Sequence, residues 1–223
     1  MTQLLGALAH LHQSRIIHLD LKPENVILEA DNQTLRLIDL GDAQCLRIGG
    51  FGMNMAGPLS DSGPEFLPPE SISKGPVGTY TDMWSFGVIL YVLLRYESLS
   101  IFEIHFNKHF SSGLSPFLDD SEEETTNNIL RCDFSFPDEH FHVSSSAKEL
   151  VGRLLVMNPC QRISANSCLT SQWIRTTRSS LANISSRHLA NFVARRKKRL
   201  NSLGPTAFTR IPRPESMYKK LPS

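Results

Sequence analysis

The sequence lacks long apolar runs, and this bears directly on membrane insertion. The longest run, FGVILYVLL, covers only residues 86–94, whereas a membrane-spanning helix needs roughly 20 apolar residues. The opening residues, MTQLLGALAHLHQ, have neither the basic segment nor the small-residue cleavage site of a secretory signal. We therefore expect no membrane span and a cytoplasmic protein.

The chain is also poor in cysteine, and the cysteines that it has are widely spaced. The four of them lie at positions 45, 132, 160 and 168 and form no CxxC pair. Zinc sites and disulfide frameworks use cysteines at short, regular spacings. Reduced, packed thiols are therefore expected in place of disulfides or a sulfur-ligated metal.

Net charge is low, at +1, but it is unevenly distributed along the chain. Residues 175–223 contain 12 Lys and Arg and one acidic residue, Glu215. The rest of the chain contains 11 basic and 21 acidic residues. Because opposite charges attract, we expect the basic tail to contact an anionic surface, and its own domain is the nearest one.

Apolar periodicity predicts a mostly helical domain that contains one short β-hairpin. Leucines recur at helical spacing over residues 4–11, so the chain opens in an amphipathic helix. Two short apolar runs, residues 26–28 and 35–38, flank a turn-forming Asp-Asn pair and predict the hairpin. The stretch TDMWSFGVILYVLL, residues 81–94, opens with a Thr-Asp cap and is apolar on nearly all sides, which is typical of a buried helix.

Two further helices and a polar tail complete the predicted organisation. Ser121 and Glu124 have the spacing of a capping box, and residues 144–156 repeat a cap followed by an amphipathic pattern. Beyond about residue 174 the sequence becomes polar and rich in Ser and Arg. We therefore expect a domain over residues 1–174 and a largely unstructured tail over residues 175–223.

The segment HLDLKPEN, residues 18–25, places an aspartate, a lysine and an asparagine within a few positions of each other. These residues are Asp20, Lys22 and Asn25, and Asp39 follows on the far side of the predicted hairpin. Such residues are common in ordinary turns, so the segment alone carries little weight. Three motifs that follow in order change this. They are IDLGDA at residues 38–43, GPEFLPPE at 63–70 and DMWSFGVILY at 82–91.

These motifs in this order resemble the C-terminal lobe of a serine/threonine protein kinase, and the resemblance covers most of residues 1–174. It implies a mostly α, kinase-like C-lobe that carries a short β-hairpin. Within the family, the chain most resembles the branch of Trio, kalirin, myosin light-chain kinases and death-associated kinases. The segments SPFLDD, residues 115–120, and DFSFPD, residues 133–138, are most similar to Trio and kalirin.

The resemblance implies ATP-dependent transfer of a phosphoryl group to a hydroxyl of a protein substrate, in intracellular signalling. Asp20 would accept or orient the hydroxyl proton, and Lys22 would place a positive charge at the γ-phosphate of ATP. Asn25 and Asp39 would hold Mg²⁺, because hard cations choose oxygen ligands. Positioning and charge neutralisation dominate this chemistry, so the four groups must meet at one point.

Four other matches have structural roles in the family that the chain resembles. His18 and Asp82 would fix the catalytic loop on the buried helix. Glu70 and Arg162 would form a buried ion pair that ties the activation segment to the lobe, and losing one partner would strand the other charge. Four further histidines form no pattern, and we expect them on the surface or in the core: His10, His12, His140 and His142.

The sequence departs from the family pattern in several respects. Leu19 replaces the arginine that receives an activation-loop phosphate in many kinases, so control by such phosphorylation is not expected. Leu40 replaces the phenylalanine of the Asp-Phe-Gly motif, which exchanges one apolar residue for another. The Gly-rich loop and the strand lysine that clamp ATP have no counterpart, so the resemblance implies that the N-lobe is absent and this fragment alone is inactive.

Residues 96–112, YESLSIFEIHFNKHFSS, form an insertion at a place where the family joins two helices by a short turn. The segment is too apolar for a solvated linker, so we interpret it first as a retained non-coding stretch and second as a partner-binding insertion. The insertion and the missing lobe keep an alternative function open. That alternative is a pseudokinase or a protein-interaction module without catalysis.

Residues 187–203, RHLANFVARRKKRLNSL, combine consecutive basic residues with spaced apolar ones. On a helix they would form an apolar stripe beside a basic face, as in calmodulin targets. The segment resembles the one after the catalytic domain of myosin light-chain kinases, which implies calmodulin binding or an autoinhibitory contact within the chain. A solvated basic helix is the plainer alternative. Nucleic-acid binding is disfavoured because interleaved stacking aromatics are missing.

Overall fold

The computed structural model describes residues 1–29, 34–47, 49–50, 52–54, 64–98, 115–137, 143–179, 192–194 and 196–198. Within these ranges the chain is mostly helical, with two small antiparallel sheets. The α-helices are α1 (Thr2–Gln13), α2 (Pro69–Ile72), α3 (Thr79–Ser98), α4 (Glu122–Arg131), α5 (Ser145–Leu154), α6 (Ala165–Leu169) and α7 (Gln172–Ser179). The strands are β1 (Ile16–Ile17), β2 (Val26–Leu28), β3 (Leu35–Leu37) and β4 (Gln44–Cys45). Short 3-10 helices cover Pro23–Asn25, Pro64–Phe66 and Pro159–Gln161.

The predicted hairpin is confirmed. β2 pairs antiparallel with β3, and Val26 lies opposite Leu37. The sequence does not predict the second sheet, in which β1 pairs with β4 and Ile17 lies opposite Gln44. Each of these strands has two residues, which is too short to show the alternation that marks a strand in a sequence.

Helix α3 forms the centre of the core. Every residue from 81 to 94 is buried, which confirms the predicted buried helix. α5 lies close to α3 at Gly87, where an added Cβ would meet the Cβ of Leu154 at 2.8 Å. The glycine therefore permits an approach that no larger residue would allow. α3 continues to Ser98, so the first residues of the predicted insertion are helical, and the remainder, residues 99–112, lies outside the described residues.

The helices next to α3 begin with side-chain caps. Before α4, the Ser121 hydroxyl accepts a hydrogen bond from the Glu124 amide at 3.0 Å and lies 3.2 Å from the Glu124 carboxylate. Before α5, Ser144 accepts from the Ala147 amide at 3.3 Å. The two bonds from backbone amides satisfy donors that a helix start leaves unpaired, and they confirm the predicted caps. Of the capping box, the structure shows the bond from the Glu124 amide to Ser121, while the Glu124 carboxylate contacts the Ser121 hydroxyl.

The four cysteines are all free. Cys168 is buried, as expected of a packed thiol, but Cys45 and Cys160 are exposed, so that expectation is wrong for these two. Among the residues that the structure describes, no group of three or more His, Cys, Asp or Glu side chains is arranged to hold a metal ion. In the same part of the chain, no helix combines the length and the apolar character needed to cross a membrane.

Candidate active site

Three residues of the HLDLKPEN segment meet at one carboxylate oxygen. Lys22 Nζ lies 2.6 Å from Asp20 Oδ2, and Asn25 Nδ2 lies 3.0 Å from the same oxygen. Asn25 Nδ2 also donates to the main-chain oxygen of Asp20 at 2.8 Å. Asp20 and Asn25 are buried, so these charge-assisted bonds hold the carboxylate in one orientation.

The local backbone explains why the three side chains converge. The 3-10 helix Pro23–Asn25 begins with a proline, whose fixed φ suits the first helical position, and its Asn25 amide donates to Lys22 O at 3.0 Å. This tight turn reverses the chain between Lys22 and Asn25. The side chain of Asn25 is thereby directed back at Asp20, five positions earlier.

Asp39 is tied to this loop through its neighbour Ile38. The Ile38 amide donates to Asn25 O at 2.9 Å, and the His18 ring donates from Nε2 to Ile38 O at 3.0 Å. Asp39 itself is exposed, has a φ of 63°, and accepts a hydrogen bond from the Gly41 amide at 3.3 Å. The hairpin therefore attaches the residue before Asp39 to the segment that carries Asp20 and Asn25.

The carboxylate of Asp82 fixes the backbone of residues 18–25, which we call the catalytic loop after the role that the resemblance implies. Its two oxygens accept the amides of His18 and Leu19, each at 2.9 Å. The ring of His12 adds a third bond, with Nε2 2.8 Å from Asp82 Oδ2. Asp82 is 1% exposed, so every bond that it accepts offsets the cost of burying its charge.

Sequence reasoning missed the role of His12. A signal was present, because His12 lies three to four residues beyond the buried Leu8 and Ala9 and therefore on the buried face of α1. A polar residue on such a face needs a partner. The partner, Asp82, lies 70 positions away in the sequence, so its identity is visible only in the folded chain.

Glu70 and Arg162 form a buried ion pair with two parallel bonds, of 2.8 and 3.1 Å. The guanidinium also donates to Tyr80 O at 2.7 Å and to Val156 O at 2.9 Å, and it lies 5.0 Å above the Trp84 ring. Arg162 therefore joins α2, the start of α3 and the loop after α5. This is the pairing that the sequence analysis expects.

A further acidic site, unassigned in the sequence analysis, binds the tail. Glu24 in the catalytic loop and Glu65 in the 3-10 helix Pro64–Phe66 both bond to Arg196, the latter at 2.9 Å. The guanidinium lies 5.1 Å above the ring of Phe66, and the ring of Phe192 contacts Phe66 edge-on at 6.4 Å.

Both tail side chains are buried, with Phe192 3% and Arg196 7% exposed. Burial by itself lowers the pKa of Arg196, but the charges of Glu65 and Glu24 outweigh it and raise the pKa above its ordinary value. The described tail residues, 192–194 and 196–198, are helical. The expected contact of the basic tail with an acidic surface of its own domain thus exists at Arg196. The rest of the predicted segment 187–203 lies outside the described residues.

Comparison with known proteins identifies the class of protein to which this fold and site belong. The sequence model of the protein kinase domain matches residues 1–174. The chain belongs to the protein kinase family.

The similar proteins include a titin homolog, a myosin light chain kinase and a death-associated protein kinase. The chain is 36% identical over 209 residues to a titin homolog of Caenorhabditis elegans, covering 93% of this chain and 1% of that protein. It is 38% identical over 182 residues to human myosin light chain kinase family member 4, covering 78% of this chain and 40% of the relative. It is 38% identical over 176 residues to a death-associated protein kinase of C. elegans, covering 78% of this chain and 11% of the relative. The chain thus spans well under half of the length of these relatives.

Proposed function

We propose that this chain is the C-terminal lobe of an ATP-dependent serine/threonine protein kinase that acts in cytoplasmic signalling. The observation that carries the proposal is the meeting of Lys22 and Asn25 on one oxygen of Asp20, with Asp39 tied to the same loop. SPFLDD and DFSFPD support a place in the Trio and kalirin branch. The proposed kinase lobe covers residues 1–174, although α7 extends past residue 174 into the proposed tail.

Asp20 is placed to receive the proton of a substrate hydroxyl. The bonds from Lys22 and Asn25 both end on its Oδ2 oxygen, which leaves Oδ1 for an incoming hydroxyl group. A base held in one orientation derives most of its effect from position. Lys22 adds a positive charge beside this base, as transfer of an anionic phosphoryl group requires.

The oxygen donors beside Asp20 fit Mg²⁺. The amide nitrogen of Asn25 is bonded to Asp20, so its Oδ1 oxygen remains as a ligand, and Asp39 adds an exposed carboxylate. Mg²⁺ binds oxygen ligands of this kind and retains several waters. When bound, the ions neutralise charge on the phosphate oxygens of ATP. We therefore propose Asn25 and Asp39 as ligands of the metal. Lys22, Asn25 and Asp39 together would bind the nucleotide.

The proposal is tested by Asp20→Asn in the longest natural protein that contains this chain. Phosphoryl transfer to a peptide should fall by about a hundredfold or more, because the base is removed. Binding of Mg-ATP should persist, because the proposed metal ligands are retained. The matched control is Asp120→Asn, which changes an exposed carboxylate and should leave the rate unchanged.

Two results would point elsewhere. Transfer that survives Asp20→Asn would remove Asp20 from the chemistry. Failure of the unaltered protein to bind Mg-ATP in a calorimetric titration would favour the alternative function, a pseudokinase or interaction module. In that case the buried site around Asp20 would serve only to hold the loop.

We also propose that the tail segment 187–203 restrains the kinase lobe by an intramolecular contact. Arg196 bonds to Glu24, and Glu24 immediately precedes Asn25 in the catalytic loop. A tail held there covers the edge of the proposed active site. Calmodulin is the proposed partner that would release it, because residues 187–203 combine apolar and basic residues and calmodulin would compete for Phe192.

A further inference from the structure

A second hydrophobic cluster lies beside the catalytic loop, apart from the main core. Ile17, Leu19 and Val77 are its buried members, and Leu46 and Met53 pack against them. The cluster connects segments that are distant in the sequence. Leu19 directly precedes Asp20, and Leu46 directly follows β4. Met53 lies in the segment 52–54, and Val77 lies between α2 and α3.

Leu19 is the link between this cluster and the chemistry. It is 5% exposed and has a φ of 67°, a left-handed conformation that is unfavourable for a bulky residue. Its amide is held by Asp82 Oδ1 at 2.9 Å. Because Leu19 precedes Asp20, any change in its backbone would turn the proposed base.

Met53 reaches the cluster through a pairing of backbones. The amide of Met53 donates to Val77 O and the amide of Val77 donates to Met53 O, each at 2.9 Å. Gly52 makes this pairing possible, because an added Cβ would meet the hydroxyl of Tyr80 at 2.7 Å and Val77 O at 3.1 Å. The segment 52–54 is thus held against the residues that lead into α3.

The sheet of β1 and β4 closes the other side of the cluster. Ile17, 0% exposed, lies opposite Gln44, and the amide of Leu46 donates to Arg15 O at 2.8 Å. The strand that follows Asp39 is thereby attached to the strand that precedes His18. The cluster therefore includes Leu19, directly before Asp20, and Leu46, seven residues after Asp39.

We propose that Met53 is a positioning residue for the proposed kinase reaction, and that it acts through Leu19. Met53 packs against the cluster that contains Leu19 and Val77, and this apolar packing holds the segment that follows β4 against the catalytic loop. The inference rests on the proposed function.

The test compares Met53→Gln with Met53→Leu in the full protein, with Met157→Gln as matched control because Met157 is 41% exposed and outside the cluster. Amide hydrogen exchange is measured at Leu19 and Val77, and kcat and KM for ATP are measured separately. Met53→Gln should accelerate exchange at both amides and lower kcat about tenfold with KM unchanged, since small displacements of a base cost rate. Met53→Leu should keep the exchange rates and kcat of the unaltered protein, because leucine retains the apolar contact.

Exchange in Met53→Gln that equals exchange in Met157→Gln would overturn the proposal, whatever the activity. Met53→Ala provides a milder variant if Met53→Gln does not fold, and the same comparison then decides. If neither the unaltered protein nor any variant transfers phosphate, the proposed function fails. The exchange measurement still shows whether Met53 holds the backbone at Leu19.

Discussion

At the residue scale, the buried charges are the features most sensitive to change. Arg162 directs its guanidinium donors at Glu70, Tyr80 O and Val156 O, with side-chain exposures of 0% for Arg162 and 7% for Glu70. A charge in such a site is tolerated only because its bonds replace those to water. Removing either partner leaves the other charge buried.

Arg162→Met should therefore lower the free energy of unfolding by about 3–5 kcal/mol, because the Glu70 carboxylate loses its counter-charge. The control is Arg36→Ala, which breaks the exposed pair with Glu29 and should cost less than about 1 kcal/mol. Urea unfolding followed by circular dichroism measures both. Equal losses for the two variants would show that burial does not decide the cost.

The cysteines provide a second prediction at this scale. Burial raises the pKa of the Cys168 thiol to about 12, so at pH 8 only about one thiol in ten thousand is the reactive thiolate. Cys45 and Cys160 are exposed. Iodoacetamide at pH 8 should modify these two first, as mass spectrometry would show, and Cys168 only after unfolding in urea. Modification of Cys168 in the folded protein at the rate of Cys160 would contradict this.

At the scale of elements, the packing of α5 on α3 depends on a glycine, Gly87, at the point of closest approach. A Cβ at Gly87 would lie 2.8 Å from Leu154 Cβ and 2.9 Å from Leu155 Cδ2. Such distances force one helix to move. The contact also supports the active site indirectly, because the same helix α3 carries Asp82.

Gly87→Ala should destabilise the chain by about 1–3 kcal/mol, because overpacking outweighs the better helix propensity of alanine. Gly152→Ala in α5 is the matched control, since nothing lies within 4 Å of a Cβ there, and it should stabilise by about 0.5–1 kcal/mol. Thermal unfolding of the two variants gives the comparison. A gain in stability from both would mean that the helices can separate without cost.

At the scale of the whole molecule, the charge imbalance along the chain has a structural counterpart. The tail carries most of the excess positive charge, and Arg196 places part of it between two glutamates of the kinase domain. A contact that spans more than a hundred positions fastens the end of the chain to the catalytic loop. It gives the proposed restraint a defined point of attachment.

Arg196→Ala should raise the basal rate of phosphoryl transfer by about tenfold, because losing both ion pairs shifts the tail toward release. Lys197→Ala, an exposed neighbour, is the matched control and should leave the rate unchanged. Initial rates on a peptide substrate measure both, and Ca²⁺-calmodulin should activate the unaltered protein but not Arg196→Ala. Identical rates for the two variants would argue that the tail does not cover the site.

Much of the fold could be predicted because its signals are local. The capping box at Ser121, the buried helix around Trp84 and the hairpin of β2 and β3 each depend on spacings within a few positions. The pairing of β1 with β4 escaped prediction because two-residue strands have no readable period. The role of His12 escaped it because a histidine on a buried helix face does not reveal its partner.

The sequence by itself determined the order of motifs that places the chain among protein kinases and the short spacings that bring Lys22 and Asn25 to Asp20. A tight turn needs only neighbouring residues. Tertiary structure alone decided that Asp82 holds His12 as well as the catalytic loop, that Arg196 lies between Glu24 and Glu65, and that Leu19 and Met53 belong to one apolar cluster. These contacts join distant positions, so the groups that offset the cost of burying each charge meet only after the chain has folded.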